Sequence, residues 1–181
     1  MVKRIGWLVV TVGVAACSQM SMTPYVAPAK DGEAVVPVAY KSWPGMLSSV
    51  QRPDAKQVRE AYIDPKGNQT KAGDPFPYGT IMVMENYAAV AKPDGTLEMG
   101  ADGKLVKGAM VRFFVMEKAK GAGQDVPEAL RNGDWVYSSY TPDGKKTDDN
   151  LMACRGCHLT VPKDKDFVHR YDEYFQKRAT Y

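Results

Sequence analysis

The sequence predicts an α+β domain, a mostly β body closed by helices, and three observations carry that expectation. Between residues 58 and 141 apolar and polar side chains alternate with period two. Turn-forming clusters of Asp, Pro, Lys and Gly punctuate the alternation. Only after residue 150 does the apolar spacing become helical.

In chain order, residues 40–50 read as a short helix broken near Pro44. Residues 58–64 alternate as a strand and stop at Asp64-Pro65-Lys66-Gly67. Residues 80–91 form the longest strand candidate, turned by Lys92-Pro93-Asp94-Gly95. Asp102-Gly103 precedes a strand over 109–117, with Val111, Phe113 and Val115 on one face and Met110, Arg112, Phe114 and Met116 on the other. Residues 134–141 supply a further strand, ended by Pro142-Asp143-Gly144. Asp148-Asp149 then caps a helix over 150–157, and the acids and aromatics of 166–177 predict a last amphipathic helix. No internal repeat is visible.

The first of these helices contains Cys154-Arg155-Gly156-Cys157, followed at once by His158. C-x-x-C-H is the attachment pattern of a c-type haem. Two thiols two residues apart span the two haem vinyl groups and add across them as thioethers, and the adjacent imidazole reaches the iron as proximal ligand. Two other readings of the pair fare worse. A thioredoxin-like C-x-x-C opens a helix after a buried strand in a βαβ unit, and no such unit is present. A structural zinc site wants a second pair of ligands, and only His169 is left over. One haem c, bound through Cys154, Cys157 and His158, is the expected cofactor.

The third cysteine has a separate explanation. Met1-Val2-Lys3-Arg4 is basic, an apolar stretch follows to Ala16, and Val14-Ala15-Ala16-Cys17 resembles the bacterial lipobox. The apolar run is shorter than the roughly 20 residues that span a bilayer. Residues 1–16 are therefore expected to be a lipoprotein signal peptide, and Cys17 a lipid anchor that holds the protein on a bacterial membrane in the periplasm. Residues 17–38, rich in Pro, Ala, Ser and Met, are expected as a flexible tether, and residues 39–181 as the haem domain. The chain carries 24 basic and 21 acidic residues; without Lys3 and Arg4 the balance is near +1. No basic stripe suggests nucleic acid.

The layout excludes two common haem proteins. Small electron-transfer cytochromes c are all-α, with the haem motif near the start and an axial Met far downstream. Here 23 residues follow His158 and none is Met. The four-helix cytochromes c′ carry the motif near the C-terminus, but their bodies are helical.

Beyond exclusion, the chain resembles the cytochrome P-460 family, which includes hydroxylamine-oxidising P-460 enzymes and NO-binding cytochromes c′-beta. The resemblance runs from about Tyr40 to Phe175, through VREAYIDP (58–65), FPYGTIMVMENY (76–87), GDWVYSSYTPDG (133–144), CRGCH and DFVHRY (166–171). It implies an antiparallel sheet packed with helices, a homodimer formed through the sheet, and one high-spin haem with an open distal face for small nitrogen oxides. In the P-460 enzymes a lysine on the strand after the FP-x-GT segment bonds to the haem rim. Met84 stands at that position here, and Lys92, eight residues on, is a poor substitute. The resemblance therefore favours a cytochrome c′-beta-like binder of NO, CO or related ligands. A hydroxylamine- or NO-oxidising enzyme is the first alternative, and an electron-transfer cytochrome with a redox partner protein the second.

The remaining candidates follow from the same resemblance or from chemistry. Arg59 resembles a distal-pocket arginine; its other reading is a solvated strand charge. Met84 shares a strand face with Met82 and is a possible iron ligand or core filler. Phe76, Phe113 and Phe114 are expected to cap the distal face or to pack as ordinary core. His169 is a second possible axial ligand or a structural histidine, and Glu85 and Asp149 are possible proton relays or plain carboxylates.

Overall fold

The computed structural model describes residues 27–178. The expected signal peptide, Cys17 and the first ten residues of the expected tether lie outside the described residues. The body is a five-stranded antiparallel meander in the order β1-β2-β3-β4-β5: Gly45–Arg52, Gln57–Ile63, Ile81–Ala89, Lys107–Lys118 and Trp135–Tyr140. Two helices follow, α1 (Leu151–His158), which carries the C-x-x-C-H residues, and α2 (Tyr171–Arg178). The α+β architecture matches the expectation.

Because side chains alternate across a strand, the sheet has two distinct faces. One buries Ile63, Met82, Met116, Trp135 and Tyr137 against Met46, Val50 and the aromatics of α2. The other buries Val83, Phe113, Val115, Val136 and Tyr140 with Tyr40 and Ala34. The helical side is closed by a ring cluster in which Phe76 stands edge-on to Trp135 and Tyr171 and stacks on Phe175, 6.1 Å between centroids.

Five local expectations need correction. Residues 40–50 are not one helix: a single 3-10 turn, Tyr40–Ser42, precedes β1, because Pro44 withholds a donor and the sheet needs an edge strand for Met46, Leu47 and Val50 to cover. The register shifts between Asn86 and Tyr87, where β4 inserts the exposed Val111 as an extra residue. That bulge moves Met110 onto the face of Phe113 and Val115. The cap of α1 is Asn150, whose side chain accepts from the Met152 amide at 3.1 Å, and not the Asp148-Asp149 pair. The last helix begins only at Tyr171, since Asp166, Phe167 and Arg170 are left-handed, with φ of 51°, 58° and 58°.

The fifth correction concerns the expected tether. Residues 27–38 run against β5: Gly32 N–H donates to the Tyr137 carbonyl at 2.7 Å, the Tyr140 hydroxyl donates to the Ala34 carbonyl, and Ala34 is fully buried. Asp31 accepts two bonds from the Arg155 guanidinium, at 2.6 and 2.9 Å, and one from the Tyr137 amide. Arg155, between the two motif cysteines, is only 1% exposed and also donates to Asn132 and the Trp135 carbonyl. A side chain at Gly123 would press on this guanidinium, meeting Nη1 at 3.0 Å. The packed domain thus begins before residue 39.

A second buried ion pair ties β4 to the left-handed segment. Lys118 Nζ donates to both Asp166 oxygens at 2.9 and 2.7 Å, Asp166 also accepts from the Phe76 amide, and the Trp135 indole donates to the Asp166 carbonyl. Removing one charge strands the other in the interior. Asp166→Asn keeps the left-handed preference but leaves Lys118 uncompensated. It is expected to lower the unfolding free energy by about 3–5 kcal/mol in a denaturant titration, and adding Lys118→Met is expected to recover most of the loss. A single-variant cost near zero would contradict the assignment.

Candidate functional site

A cavity of about 630 Å³ lies between the first face of the sheet and the segment from α1 to Arg170. That volume falls within the roughly 300–1,000 Å³ of ligand and cofactor pockets. Its sheet wall alternates as the strands do: Ala61 and Arg59 from β2, Met82, Met84 and Asn86 from β3, and Phe114 and Met116 from β4. Met84 sits directly between Ala61 and Phe114 in the register. The opposite wall holds Cys154, Cys157, His158 and His169.

Helical spacing explains why the motif residues converge. Cys154, Cys157 and His158 stand at i, i+3 and i+4, one face of α1, while Arg155 turns away into its buried ion pair. The two thiols are not joined to each other. Burial, with Asp149 and Asp31 nearby, pushes the Cys154 thiol up and keeps it protonated.

The imidazole is oriented from behind. His158 Nδ1 lies 2.7 Å from the Phe167 carbonyl, an acceptor only, so Nδ1 carries the proton and Nε2 keeps its lone pair. Tyr137 lies against the ring, 5.0 Å between centroids. Burial holds the His158 pKa at about 4, the Phe167 carbonyl opposing the shift and the neighbouring His169 adding to it. A neutral imidazole with a free Nε2 is the state that binds a metal.

His169 is exposed and contacts Cys157 Sγ at 3.4 Å, with its ring 4.9 Å from that of His158. Two metal–nitrogen bonds of about 2 Å each, plus the distance from each nitrogen to its ring centre, exceed that spacing. His169 therefore stands beside His158 and not across an iron from it. Burial lowers its pKa, and Arg52, Arg59 and Arg170 act in the same sense.

The structure separates the other candidates. Met84, Met82, Phe114 and Arg59 line the cavity. Phe113 does not: it is on the opposite face, edge-on to Tyr40 at 5.9 Å, because its strand neighbour Phe114 takes the cavity side. Phe76 belongs to the ring cluster over α2. Glu85 is likewise behind the sheet, fully buried and held by the hydroxyls of Tyr40, Tyr62 and Tyr87 and by Lys41. Asp149 is paired with Arg112 and accepts from Ser139. Lys92 is exposed in the β3–β4 connection. Sequence reasoning missed Met46, Met116, Tyr137 and Asn86. The last was within reach, since Asn86 continues the alternation of Met82 and Met84.

Between these walls there is room for a broad, mostly apolar group, with one imidazole and two thiols lining its edge. Sulfur-rich and aromatic side chains would hold its plane, His158 would meet its iron, and the molecule is a haem-binding cytochrome. Its family follows from comparison: residues 37–170 match the family model Cytochrome P460, and the chain belongs to that family. Comparison with curated proteins gives no match.

The depressed pKa has a direct consequence. A folded-state value of about 4, below the ordinary 6.5, means that the neutral ring's contribution is complete above pH 6.5 and is lost as pH falls through about 4. In the haem-free protein the His158 imidazole is therefore expected to titrate near pH 4 when followed by NMR. A midpoint near 6.5 would contradict this.

Proposed function

We propose that this chain is an exported mono-haem c protein that binds NO or related small nitrogen oxides at an open distal site, a cytochrome c′-beta-like role. Cys154 and Cys157 form the thioethers and His158 is the proximal ligand. The observation that carries the reading is the sheet wall facing His158. Met84 is at its centre, between Ala61 and Phe114, where the family's oxidases have a lysine. A thioether has no nucleophilic amine, so the macrocycle stays unmodified apart from its two attachments. Haem supplies an iron that binds diatomic ligands. The protein's part is to hold one axial position with His158, to keep water scarce with Met82, Met116 and Phe114, and to offer the Arg59 guanidinium to a bound ligand.

A second reading draws on the same methionine. Met84 lines the cavity opposite His158, and if its sulfur binds iron the site is saturated and suits electron transfer to a redox partner protein. Oxidation of hydroxylamine or NO is the third, and it leans on the cross-link that Met84 cannot form.

The reading includes anchoring: Cys17 carries lipid, the domain stays at a periplasmic membrane surface, and it pairs with a second copy through the sheet. Because residues 27–38 pack on β5, only residues 17–26 would lie between the anchor and the packed domain.

Ferric and ferrous absorption spectra test the function. A high-spin ferrous form that takes up CO and NO, with a Soret band typical of unmodified haem c, is expected. A low-spin six-coordinate spectrum in both oxidation states, lost on Met84→Ala, would replace this reading with electron transfer. A strongly red-shifted Soret band would restore the oxidase. Mass spectrometry of the mature N-terminus tests the anchor: acylated Cys17 is expected, and an unmodified chain beginning elsewhere contradicts it.

A further inference from the structure

We infer that Asp31, on the N-terminal arm, sets the reduction potential of the haem by neutralising the buried Arg155 guanidinium behind the proximal imidazole. The inference rests on the reading of His158 as proximal ligand and makes the arm part of what tunes the iron.

A cation in the interior acts over a longer range than one in water, because little solvent screens it. Arg155 donates from Nε and Nη2 to Asp31 at 2.6 and 2.9 Å, and from Nη2 to the Trp135 carbonyl at 3.0 Å. Its Nη1 donates to Asn132 Oδ1 at 2.9 Å and to the Leu130 carbonyl at 3.5 Å. All of these acceptors except Asp31 are neutral. Asp149, the other carboxylate close to Cys154, is paired with Arg112. Among the described residues the charge of Arg155 is therefore balanced by Asp31, whose own side chain is only 10% exposed.

The pair reaches the imidazole through Tyr137. The guanidinium carbon lies 5.5 Å from the centre of the Tyr137 ring, and that ring lies 5.0 Å from His158. Asn132, held by Arg155, donates from Nδ2 to the Tyr137 hydroxyl at 2.6 Å, and Asp31 accepts from the Tyr137 amide at 3.0 Å. Both partners of the guanidinium thus also grip the residue that packs on the imidazole.

The sign of the effect follows from charge alone. Ferrous haem carries one electron more than ferric haem, so a net cation behind His158 favours the ferrous form. With Asp31 in place the pair is nearly neutral and its field is short-ranged. Asp31 belongs to the arm that Gly32 and Ala34 tie to β5, so docking of the arm and the charge balance behind His158 are one event. Ferrous haem is the form that takes up CO and NO, and the arm thereby governs how much of the protein is ready to bind them.

The test is a redox titration of the haem protein and three nearly isosteric variants. Asp31→Asn is expected to raise the midpoint potential, increasing the ferrous-to-ferric ratio at a fixed potential by about three- to tenfold. Asn132→Asp, which adds a carboxylate on the other side of the same guanidinium, is expected to lower that ratio by a similar factor. The double variant moves the charge from the arm to residue 132 and is expected to return within about twofold of the unsubstituted protein. Loosened packing has no reason to reverse sign between the two single variants or to cancel in the double. Shifts of one sign, or no shift, with an unchanged absorption spectrum would overturn the inference and leave the His158 reading standing. Should Asp31→Asn yield no folded holoprotein, Asn132→Asp decides alone, and an unchanged or higher potential overturns the inference. Absence of an imidazole-ligated haem spectrum in the unsubstituted protein would overturn the His158 reading together with it.

Discussion

The His158 imidazole is held by one hydrogen bond, 2.7 Å to the carbonyl of Phe167, and much of the surrounding structure serves to put that carbonyl there. Phe167 and Asp166 are both left-handed, a conformation that is uncommon for non-glycine residues and less costly for Asp than for Phe. It is held by the buried Lys118–Asp166 pair, the Phe76 amide and the Trp135 indole, which take every strong acceptor of Asp166. Strand β4 thus reaches the proximal side of the site through one ammonium. The orientation of the imidazole is a property of the sheet and not of the short helix that carries it.

The cysteines are held from a different direction. Arg155 uses its position inside the motif to pin α1 to Asp31, Asn132 and the Trp135 carbonyl. One residue of the motif therefore faces inward as a structural clasp while Cys154, Cys157 and His158 share the outer side of the turn. The clasp also draws in residues 27–38, so the arm that leads from the N-terminus is part of the wall behind the haem motif. Across the cavity the strands contribute a mostly apolar, sulfur-lined floor that also includes Arg59 and Asn86, tied to each other through Gln57.

Much of this was legible in the sequence where a short-range rule applies. Period-two alternation located β2, β3, β4 and β5 within a few residues, and C-x-x-C-H pointed to the turn that lines the cavity. Long-range compensation was not legible. Residues 27–38 look like linker because their packing depends on Asp31 meeting Arg155, 124 positions away. The helix expected over 166–177 fails at its start because a buried lysine on β4 pulls Asp166 out of helical geometry. The bulge at Val111 reversed the face of Met110, and a single inserted residue leaves no mark on the apolar pattern. Phe113 and Phe114 illustrate the same limit: alternation puts only one of them in the cavity, and deciding which requires the neighbouring strand.

The central claim is that Cys154 and Cys157 hold the haem covalently beside His158. Acid–acetone extraction of the purified protein tests it most directly. The account predicts that the colour stays with the precipitated polypeptide, and that it stays on the fragment containing residues 154–158 after digestion. Free haem in the organic layer would contradict it.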